Sequence, residues 1–316
     1  GSMAAQATST VIAIAAATII MIMMNIPSNL QFNTDSSVMA LREYRGLEWN
    51  GTGGDVQGTV TTAAFNVNGL RSNAHKVRKV ARVMQGVDHD DNLPAVHLLG
   101  VMETATKSNQ AATLPFYDDR DDAGRDTDGS DAVEMQALAD NLCPGGRVWS
   151  TKHVAAVAAP ALNDIAIQVE TSCDGRELTV QYEIDGQAYA TIFVYMHGGN
   201  DKYRRQQVER LEQAIRRLPR TTRIAVGGDW NFVMDTDRDI ANATHTYGTA
   251  QNIGQPECTH LMAAHGLTEF FDQFEVGVRK PADLTWARGG KFSKGVVKRL
   301  DFWLLNTAMV ENRTEQ

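Results

Sequence analysis

The sequence reads Gly227-Gly228-Asp229-Trp230-Asn231 directly after a short apolar run at residues 224–226. The run predicts a buried strand, and the five residues that follow would place a carboxylate and an amide at its end. Two glycines beside an acidic residue also suit a plain tight turn. The stretch therefore gains a functional meaning only from the residues that accompany it elsewhere in the chain.

Acidic and amide side chains also stand at the ends of other predicted strands. Residues 60–67 are rich in β-branched residues, residues 95–101 form a short apolar run, and residues 299–305 read as a late strand. Strand ends converge on one rim of a packed pair of sheets, so side chains far apart in sequence could meet there. The strand-end residues are Asn66, Asn68, Glu103, Asp229, Asn231 and Asp301.

The remaining elements favour an α+β fold. Strand-like runs recur at residues 154–157, 165–170, 178–184, 189–195 and 284–286, and Asp185-Gly186 indicates a hairpin turn. Apolar residues recur at helical spacing at residues 75–84, 203–218 and 258–265. Antiparallel sheets with interspersed helices predict a layered α+β architecture.

The strand-end residue types suit the hydrolysis of a phosphodiester. This reaction needs charge neutralisation on the phosphoryl oxygens, an oriented water and help for the leaving alkoxide. Glu103 suits Mg²⁺, a hard cation that prefers oxygen ligands, and Asp229 could orient or deprotonate the water. Asn66 and Asn231 could bind the phosphate, because neutral amides do not repel it.

The composition limits the partners of the protein. Its 316 residues, 43% of them hydrophobic, suffice for one large domain or two small ones. The formal net charge is −8, so any contact with nucleic acid must be local, and basic residues cluster at 71–82, 202–223 and 279–299. Three widely spaced cysteines without a Cys-x-x-Cys pair disfavour a disulfide framework and a thiolate zinc site, and they indicate a reducing compartment.

Residues 11–26 are almost entirely apolar. This run is short for a membrane span, which needs roughly 20 residues, and no Lys or Arg precedes Arg42 to supply a positive flank. A buried helix or strand is therefore the first expectation, with a membrane or secretory role as the alternative.

Three motifs resemble the endonuclease/exonuclease/phosphatase superfamily, which includes exonuclease III, apurinic endonucleases and DNase I. The family's opening strand and turn resemble Phe65-Asn66-Val67-Asn68-Gly69-Leu70-Arg71, its metal-binding glutamate resembles Met102-Glu103-Thr104, and its Gly-Asp-x-Asn element matches Gly228-Asp229-Trp230-Asn231. The resemblance runs from about Val60 to the C-terminus. It implies a four-layered α/β sandwich with two mainly antiparallel sheets flanked by helices at residues 59–316, preceded by an N-terminal segment and linker at residues 1–58.

Within the superfamily the sequence is most similar to the endonucleases of LINE-type retrotransposons. The similar stretches are residues 227–233 followed by Asp237-Arg238, and Leu284-Thr285-Trp286 followed by Arg299-Leu300-Asp301. This resemblance implies a monomeric endonuclease that nicks DNA with Mg²⁺, or alternatively Mn²⁺, and needs no organic cofactor. It also implies an intracellular, nuclear location.

The resemblance assigns roles residue by residue. It implies catalytic roles for Asn66, Tyr195, His197, Asp229, Asn231 and Asp301. It implies metal ligation by Glu103, Asn66 and Asn68, and substrate contacts from Asn231, Arg71 and Trp286. Tyr195 would contact the phosphate near the leaving group. Met196-His197-Gly198 follows it in place of the family's Ala-Pro-Asn, so His197 could instead match the histidine that DNase I-like, sphingomyelinase and deadenylase branches place after this strand.

The C-terminal part of the sequence departs from the family pattern. Family members end with a Ser-Asp-His element beyond the aspartate that Asp301 matches, whereas the sequence ends at Gln316. By resemblance Asp301 would orient this histidine, so we expect the chain in this form to lack the last strand and to have severely impaired activity. A salt bridge from Asp301 to Arg299 or to a neighbouring residue is the structural alternative, since a carboxylate in an apolar strand is costly unless paired.

Two other functions stay open at this point. One is a phosphoesterase of the same fold that acts on lipid headgroups, inositol phosphates or RNA, which the acidic composition and the apolar segment favour. The other is a non-catalytic binding module that kept the fold.

Overall fold

The structure, a computed structural model, describes residues 60, 62–66, 81, 84, 96–104, 143–198, 201–241, 254–270, 286–287 and 297–310. Residues 201, 241, 286, 287, 297 and 310 are described by their backbone alone. The apolar segment at residues 11–26 lies outside the described residues. In the part of the chain that is described, no helix is long and apolar enough to cross a membrane.

The described secondary structure follows the predicted order. Strands β1 to β13 span Thr62–Asn66, Leu98–Met102, Arg147–Ser150, Val154–Ala158, Ile167–Thr171, Glu177–Ile184, Gln187–Tyr195, Arg223–Asp229, Ile240–Ala241, Leu267–Glu269, Trp286–Ala287, Val297–Lys298 and Asp301–Asn306. Helices α1 to α4 span Asp201–Arg217, Thr236–Asp239, Gln255–His265 and Thr307–Val310, and a short 3-10 helix spans Pro160–Leu162. Ala81 and Met84, at the end of the helix predicted for residues 75–84, are helical. The strands predicted at residues 154–157, 165–170, 178–184 and 189–195 and the helices predicted at residues 203–218 and 258–265 are confirmed with ends shifted by a few residues. The rest of the helix predicted at residues 75–84 and the first two residues of the strand predicted at 284–286 lie outside the described residues.

The strands form two large sheets and a small one. The four-stranded sheet has the order β1-β2-β4-β3, the six-stranded sheet has the order β10-β13-β8-β7-β6-β5, and β11, β12 and β9 form the third sheet. The β1–β2 and β7–β8 pairs are parallel, and the other pairs among the described strands are antiparallel. The predicted α+β architecture with mainly antiparallel sheets is therefore confirmed.

Two apolar cores hold the layers together. The first lies between the two large sheets, where Leu98 of β2 and Phe193 of β7 belong to the same buried cluster. The second lies on the other face of the six-stranded sheet, where Ile192 of β7 shares a cluster with Leu211 of α1 and Leu261 of α3. Adjacent residues of β7 enter different cores because successive side chains of a strand point to opposite faces. The six-stranded sheet is thus buried between the four-stranded sheet and two helices.

Gly100 of β2 sets how closely the two large sheets approach. A Cβ atom at this position would lie 2.0 Å from Cδ1 of Phe193, well inside contact distance. The Phe193 ring therefore occupies the space that any larger residue at position 100 would need. This packing matters for the site because β2 ends directly before Glu103 and β7 ends at Tyr195. The separation of the sheets therefore determines the separation of those side chains.

We predict that Gly100→Ala lowers the free energy of unfolding by about 1–3 kcal/mol, the usual cost of overpacking a core. Gly198→Ala is the matched control, since its added Cβ would make only an ordinary contact, 3.5 Å from Oδ1 of Asn231. Urea unfolding followed by circular dichroism measures both. Equal stability of the Gly100→Ala variant and the wild-type protein would show that the sheets are not packed this closely.

Candidate active site

Strand pairing brings the predicted site residues to one edge of the sandwich. In the four-stranded sheet, parallel pairing aligns Asn66 with Met102, so Asn66 and Glu103 end neighbouring strands on the same side. In the six-stranded sheet, Asp229 is aligned with Tyr195 of β7 and with Asp301 of β13. The convergence expected from the sequence is therefore present for these five residues.

A hydrogen bond between side chains joins the two sheets at this edge. Nδ2 of Asn66, at the end of β1, donates to Oδ2 of Asp229, at the end of β8, at 2.7 Å. The backbone N–H of Asn231 donates to the other carboxylate oxygen, Oδ1, at 2.9 Å. Both oxygens of Asp229 are thus held in position, one by Asn66 of the four-stranded sheet and one by the turn that follows β8.

Burial makes Asp229 a weaker acid than an ordinary aspartate. Its side chain is 6% exposed, and burial is the main cause that raises its pKa to about 6, helped by the charge of Glu103. The hydrogen bonds from Asn231 and Asn66 and the charge of Arg204 act in the opposite direction. Perturbed carboxylates of this kind are concentrated at functional sites, because a general base works best with a pKa near the operating pH.

The two glycines before Asp229 are required by packing. At Gly227 a Cβ would lie 2.2 Å from Cδ2 of Trp303, and at Gly228, where φ is +145°, it would lie 2.1 Å from the carbonyl oxygen of Val194. The glycines are therefore needed mainly for close packing, and less for the tight turn that the sequence also suggested. They let β8 lie close to its neighbours, and this close packing fixes the position of Asp229 at the edge of the sandwich.

Trp230 anchors the turn that follows. Its side chain is fully buried, its Nε1 donates to the carbonyl oxygen of Phe302 at 3.0 Å, and its ring stacks on that of Phe302. Its backbone N–H donates to the carbonyl oxygen of Leu300 at 2.8 Å. The indole therefore ties the Asp229 segment to β13 and orients Asn231 outward.

Two polar residues at the edge adopt left-handed backbone conformations. Asn231 has φ +53° and Glu103 has φ +56°. Asn tolerates this region, but for Glu it is uncommon and costs on the order of 1–3 kcal/mol, which residues at functional sites often bear. Asn231 also donates from Nδ2 to the carbonyl oxygen of Met196 at 2.7 Å, so the amide is fixed beside the end of β7.

Tyr195 lies near one cation, Arg176, and near the carboxylates of Glu103 and Asp229. The guanidinium carbon of Arg176 is 4.9 Å from the centre of its ring, and the ring of His153 is 6.0 Å away. Burial, followed by the charges of Glu103 and Asp229, raises the pKa of Tyr195 to about 12, although Arg176 opposes this shift. The phenol therefore stays protonated at neutral pH and can donate a hydrogen bond to a phosphate oxygen.

His197 lies beside Tyr195 and is paired with a carboxylate. Its Nε2 is 3.7 Å from Oδ2 of Asp174. Burial favours a higher pKa for Asp174, but hydrogen bonds from His197 and Ser172 and the charge of Arg210 outweigh it, so the pKa lies below its usual range. Asp174 thus remains ionised and orients the His197 imidazole.

One face of helix α1 holds the segment from Tyr195 to His197. Gln207 is fully buried, accepts from the backbone N–H of His197 at 3.1 Å and donates to the carbonyl oxygen of Tyr195 at 3.1 Å. Arg204, one turn earlier, donates to the carbonyl oxygen of His197 at 2.9 Å. Arg210, one turn later, donates to Asp174 at 2.5 Å. Three residues spaced by three along a helix share a face, so α1 fixes the whole segment.

Arg299 forms a buried ion-pair cluster with two other acids, Asp239 and Glu269, and its pairing with Asp301 stays a prediction. Arg299 is fully buried and its guanidinium lies 3.0 Å from Oδ2 of Asp239 and 2.8 Å from Oε1 of Glu269. These two acids come from α2 and β10. Removal of either partner from a buried ion pair is costly, so the Arg299 cluster fixes the start of β13 and thereby the position of Asp301, which is 8% exposed.

Three predicted contacts cannot be placed in the site. Asn68 and Arg71 lie outside the described residues. Trp286 is described by its backbone, which pairs with Lys298 in the small sheet. Their predicted roles in metal and substrate binding stay predictions.

The residues present fit a Mg²⁺ ion. Asn66 donates to Asp229 through Nδ2, so Oδ1 is the atom that could serve as a metal ligand, and the proximity of Glu103 raises the pKa of Asp229, a repulsion that a bound cation would relieve. Among the described residues, no group of three or more His, Cys, Asp or Glu side chains forms a metal cluster by itself. Mg²⁺ commonly takes only one or two carboxylates and fills its shell with water and phosphate.

Sequence reasoning missed Arg176, His153, Gln207 and Arg204. None of them ends a predicted strand in the way that Asp229 does. Arg176 directly precedes β6 and could have been noticed, because it starts a strand whose neighbour β7 carries Tyr195. His153 and Gln207 become visible only through tertiary contacts.

No family model matches the sequence, and no curated protein matches it. Similar solved structures include D. rerio TDP2 complexed with single-strand DNA product, with 14% identity and a TM-score of 0.46 over 77% of this chain and 82% of that chain. The endonuclease domain of TRAS1, a telomere-specific non-LTR retrotransposon, has 13% identity and a TM-score of 0.42 over 68% and 75%. NExo, a 3′-5′ exonuclease from Neisseria meningitidis, has 18% identity and a TM-score of 0.47 over 78% and 87%. Similarity at this level does not assign an activity to this chain.

We predict that Asp229→Asn changes how stability depends on pH. Because the pKa of Asp229 is raised to about 6, the folded wild-type protein binds more protons than the unfolded chain between pH 4 and 6, and its stability falls as pH rises through this window. The contribution is roughly 3 kcal/mol at most. The variant should show a smaller fall when urea unfolding is measured in EDTA, because Glu177, whose pKa burial raises to about 8, still contributes to the fall.

Asp185→Asn is the control for this measurement, since it removes an exposed carboxylate from the hairpin turn and should follow the wild-type curve. Identical pH dependence in the wild-type and Asp229→Asn proteins would mean that Asp229 is not desolvated as described.

Proposed function

We propose that the protein is a Mg²⁺-dependent phosphodiester hydrolase that nicks DNA. The observation that supports this most is the Asn66–Asp229 hydrogen bond of 2.7 Å, which joins the two sheets at an edge that also carries Glu103 and Tyr195. The choice of DNA as substrate is supported by the motif resemblance to retrotransposon and apurinic endonucleases.

Asp229 acts as the general base towards the attacking water. With a pKa of about 6 it is largely ionised at neutral pH and still basic enough to accept a proton. Hydrogen bonds from Asn66 and Asn231 hold both carboxylate oxygens, and each oxygen keeps a further lone pair for the water. Orientation of the water is therefore built into the folded state.

Tyr195, Arg176 and Asn231 bind the phosphate. The phenol donates a hydrogen bond as a neutral group, the guanidinium offsets negative charge on the phosphoryl oxygens, and the amide has a second N–H besides the one that it gives to Met196. Donors that are already in place stabilise the charge that develops in the transition state without reorganisation.

His197 delivers a proton to the leaving alkoxide. Its ionised partner Asp174 orients the imidazole, as the carboxylate does in other acid–histidine pairs. The side chain of Gln207 accepts from the backbone N–H of His197, and Nε of Arg204 donates to its carbonyl oxygen, so both fix the segment that carries the imidazole.

Glu103 and Asn66 would hold the Mg²⁺ ion. When bound, the ion neutralises charge on the phosphoryl oxygens. The left-handed backbone of Glu103 directs a carboxylate to the same edge as Asp229, which supports this assignment.

We predict that the protein converts supercoiled plasmid to open circles in Mg²⁺, with enzyme in excess over plasmid so that a slow reaction is detected, and that EDTA stops the reaction. Asp229→Ala should slow nicking about 100-fold or more, because a general base commonly contributes 10²–10⁴-fold. Asp185→Asn should nick at the wild-type rate. Absence of nicking by the wild-type protein, together with release of phosphate from a lipid or inositol substrate, would overturn the DNA assignment.

We predict that Glu103→Gln weakens Mg²⁺ binding, because it removes the charge of a proposed ligand. Titration calorimetry without DNA measures this independently of turnover. Glu183→Gln, which alters an exposed glutamate of β6, should bind Mg²⁺ like the wild-type protein. Unchanged affinity in the Glu103→Gln variant would remove Glu103 from the metal site.

A further inference from the structure

Two turns next to the candidate active site are locked together. The first, residues 151–154, connects β3 to β4, and the second, residues 172–176, connects β5 to β6. Thr151 is 2% exposed, and its Oγ1 donates to the carbonyl oxygen of Gly175 at 2.5 Å while it accepts from the backbone N–H of Val154 at 2.9 Å. We call residues 151–154 and 172–176 the paired turns.

The second turn is also closed on itself. Oγ of Ser172 accepts from the backbone N–H groups of Arg176 at 3.1 Å and Glu177 at 2.9 Å. Gly175 has φ +66°, and a Cβ there would lie 3.1 Å from Cβ of Thr151. Larger residues at position 175 would therefore both strain the backbone and push the turns apart. The paired turns form a pre-organised surface, which lowers the ordering cost of binding a ligand.

The outward side chains of the paired turns are mostly basic. Lys152 is exposed, and Arg176 is half-buried. His153 is also half-buried, and burial followed by the charges of Arg176 and Lys152 lowers its pKa to about 4, so it takes part as a neutral imidazole. The carboxylate on these turns, Asp174, is 13% exposed and is paired with Arg210 and His197. Arg210 offsets the negative charge of Asp174. The surface therefore presents net positive charge in a protein whose overall charge is −8.

The paired turns adjoin the site directly. The backbone N–H of Thr104, next to Glu103, donates to the carbonyl oxygen of His153 at 3.2 Å, and the backbone N–H of Tyr195 donates to the carbonyl oxygen of Arg176 at 2.8 Å. A ligand that extends past Glu103 and Tyr195 on this side would lie against Lys152.

We propose that the paired turns bind backbone phosphates of the DNA strand beyond the scissile bond, with Lys152 and His153 as the contacting side chains. This inference rests on the proposed function and adds a second binding surface for the DNA to it, because a polymer with repeated phosphates can reach both the site and this surface. A local contact of this kind is what an acidic protein needs to bind a polyanion, since its overall field does not attract one.

The test is the salt dependence of binding of a duplex oligonucleotide, measured by fluorescence anisotropy in EDTA so that no cleavage occurs. Each phosphate contact by a cation contributes about 0.9 to the slope of log affinity against log salt. Lys152→Gln should lower this slope by about one contact and weaken binding at low salt. Arg220→Gln, which removes an exposed charge just before β8 begins, at the opposite edge of the sheet, should keep the wild-type slope.

A second variant tests the hydrogen-bonding residue. His153→Ala should weaken oligonucleotide binding by about threefold to tenfold, the usual loss for one hydrogen bond. An unchanged slope in Lys152→Gln, or a slope change shared with Arg220→Gln, would overturn the inference while leaving the proposed function intact. Failure of the wild-type protein to bind the oligonucleotide would instead count against the proposed function.

Binding to anionic lipid vesicles tests the alternative partner, a negatively charged membrane surface. Vesicles containing phosphatidylserine should bind no more tightly to the wild-type protein than to Lys152→Gln. Lys152-dependent binding to vesicles, with no Lys152-dependent binding to DNA, would assign the paired turns to a membrane surface and overturn the inference.

Discussion

The hydrogen bond from Asn66 to Asp229 determines how the rest of the edge is arranged. It connects the ends of β1 and β8, which belong to different sheets, and it also holds a carboxylate that burial makes weakly acidic. Asn231 supplies the second donor, so neither oxygen of Asp229 can turn away. The same contact therefore aligns the two sheets and sets the chemistry of the base that we propose.

Packing further from the edge makes this contact possible. Gly100 lets the Phe193 ring lie between the sheets, Gly227 accommodates the Trp303 ring, and Trp230 ties the Asp229 segment to β13. The buried Arg299 cluster fixes the start of β13 from the other side. Protein interiors are close-packed, so a change at any of these positions is transmitted to the edge.

The strand ends could be predicted from sequence because most of them carry a polar residue directly after an apolar run. Asn66, Glu103 and Asp229 follow this pattern, whereas Asp301 directly precedes the apolar run of β13. Antiparallel pairing of β13 with β8 brings Asp301 to the same edge. Strand β3, Arg147–Ser150, was missed because four residues with mixed polarity give little periodicity. Other contacts join segments that are distant in the sequence, such as the ion pairs of Arg299 and the hydrogen bond between Thr151 and Gly175. No local sequence pattern predicts such pairs.

The coupling between Asn66 and Asp229 in the reaction tests this account most directly. The rate of plasmid nicking would be measured for the wild-type protein, Asn66→Ala, Asp229→Ala and the double variant. Residues that act as a unit give strongly non-additive losses, so the loss of rate in the double variant should be clearly smaller than the product of the two single losses. Losses that multiply in the double variant would show that Asn66 does not act through Asp229 and would contradict the account.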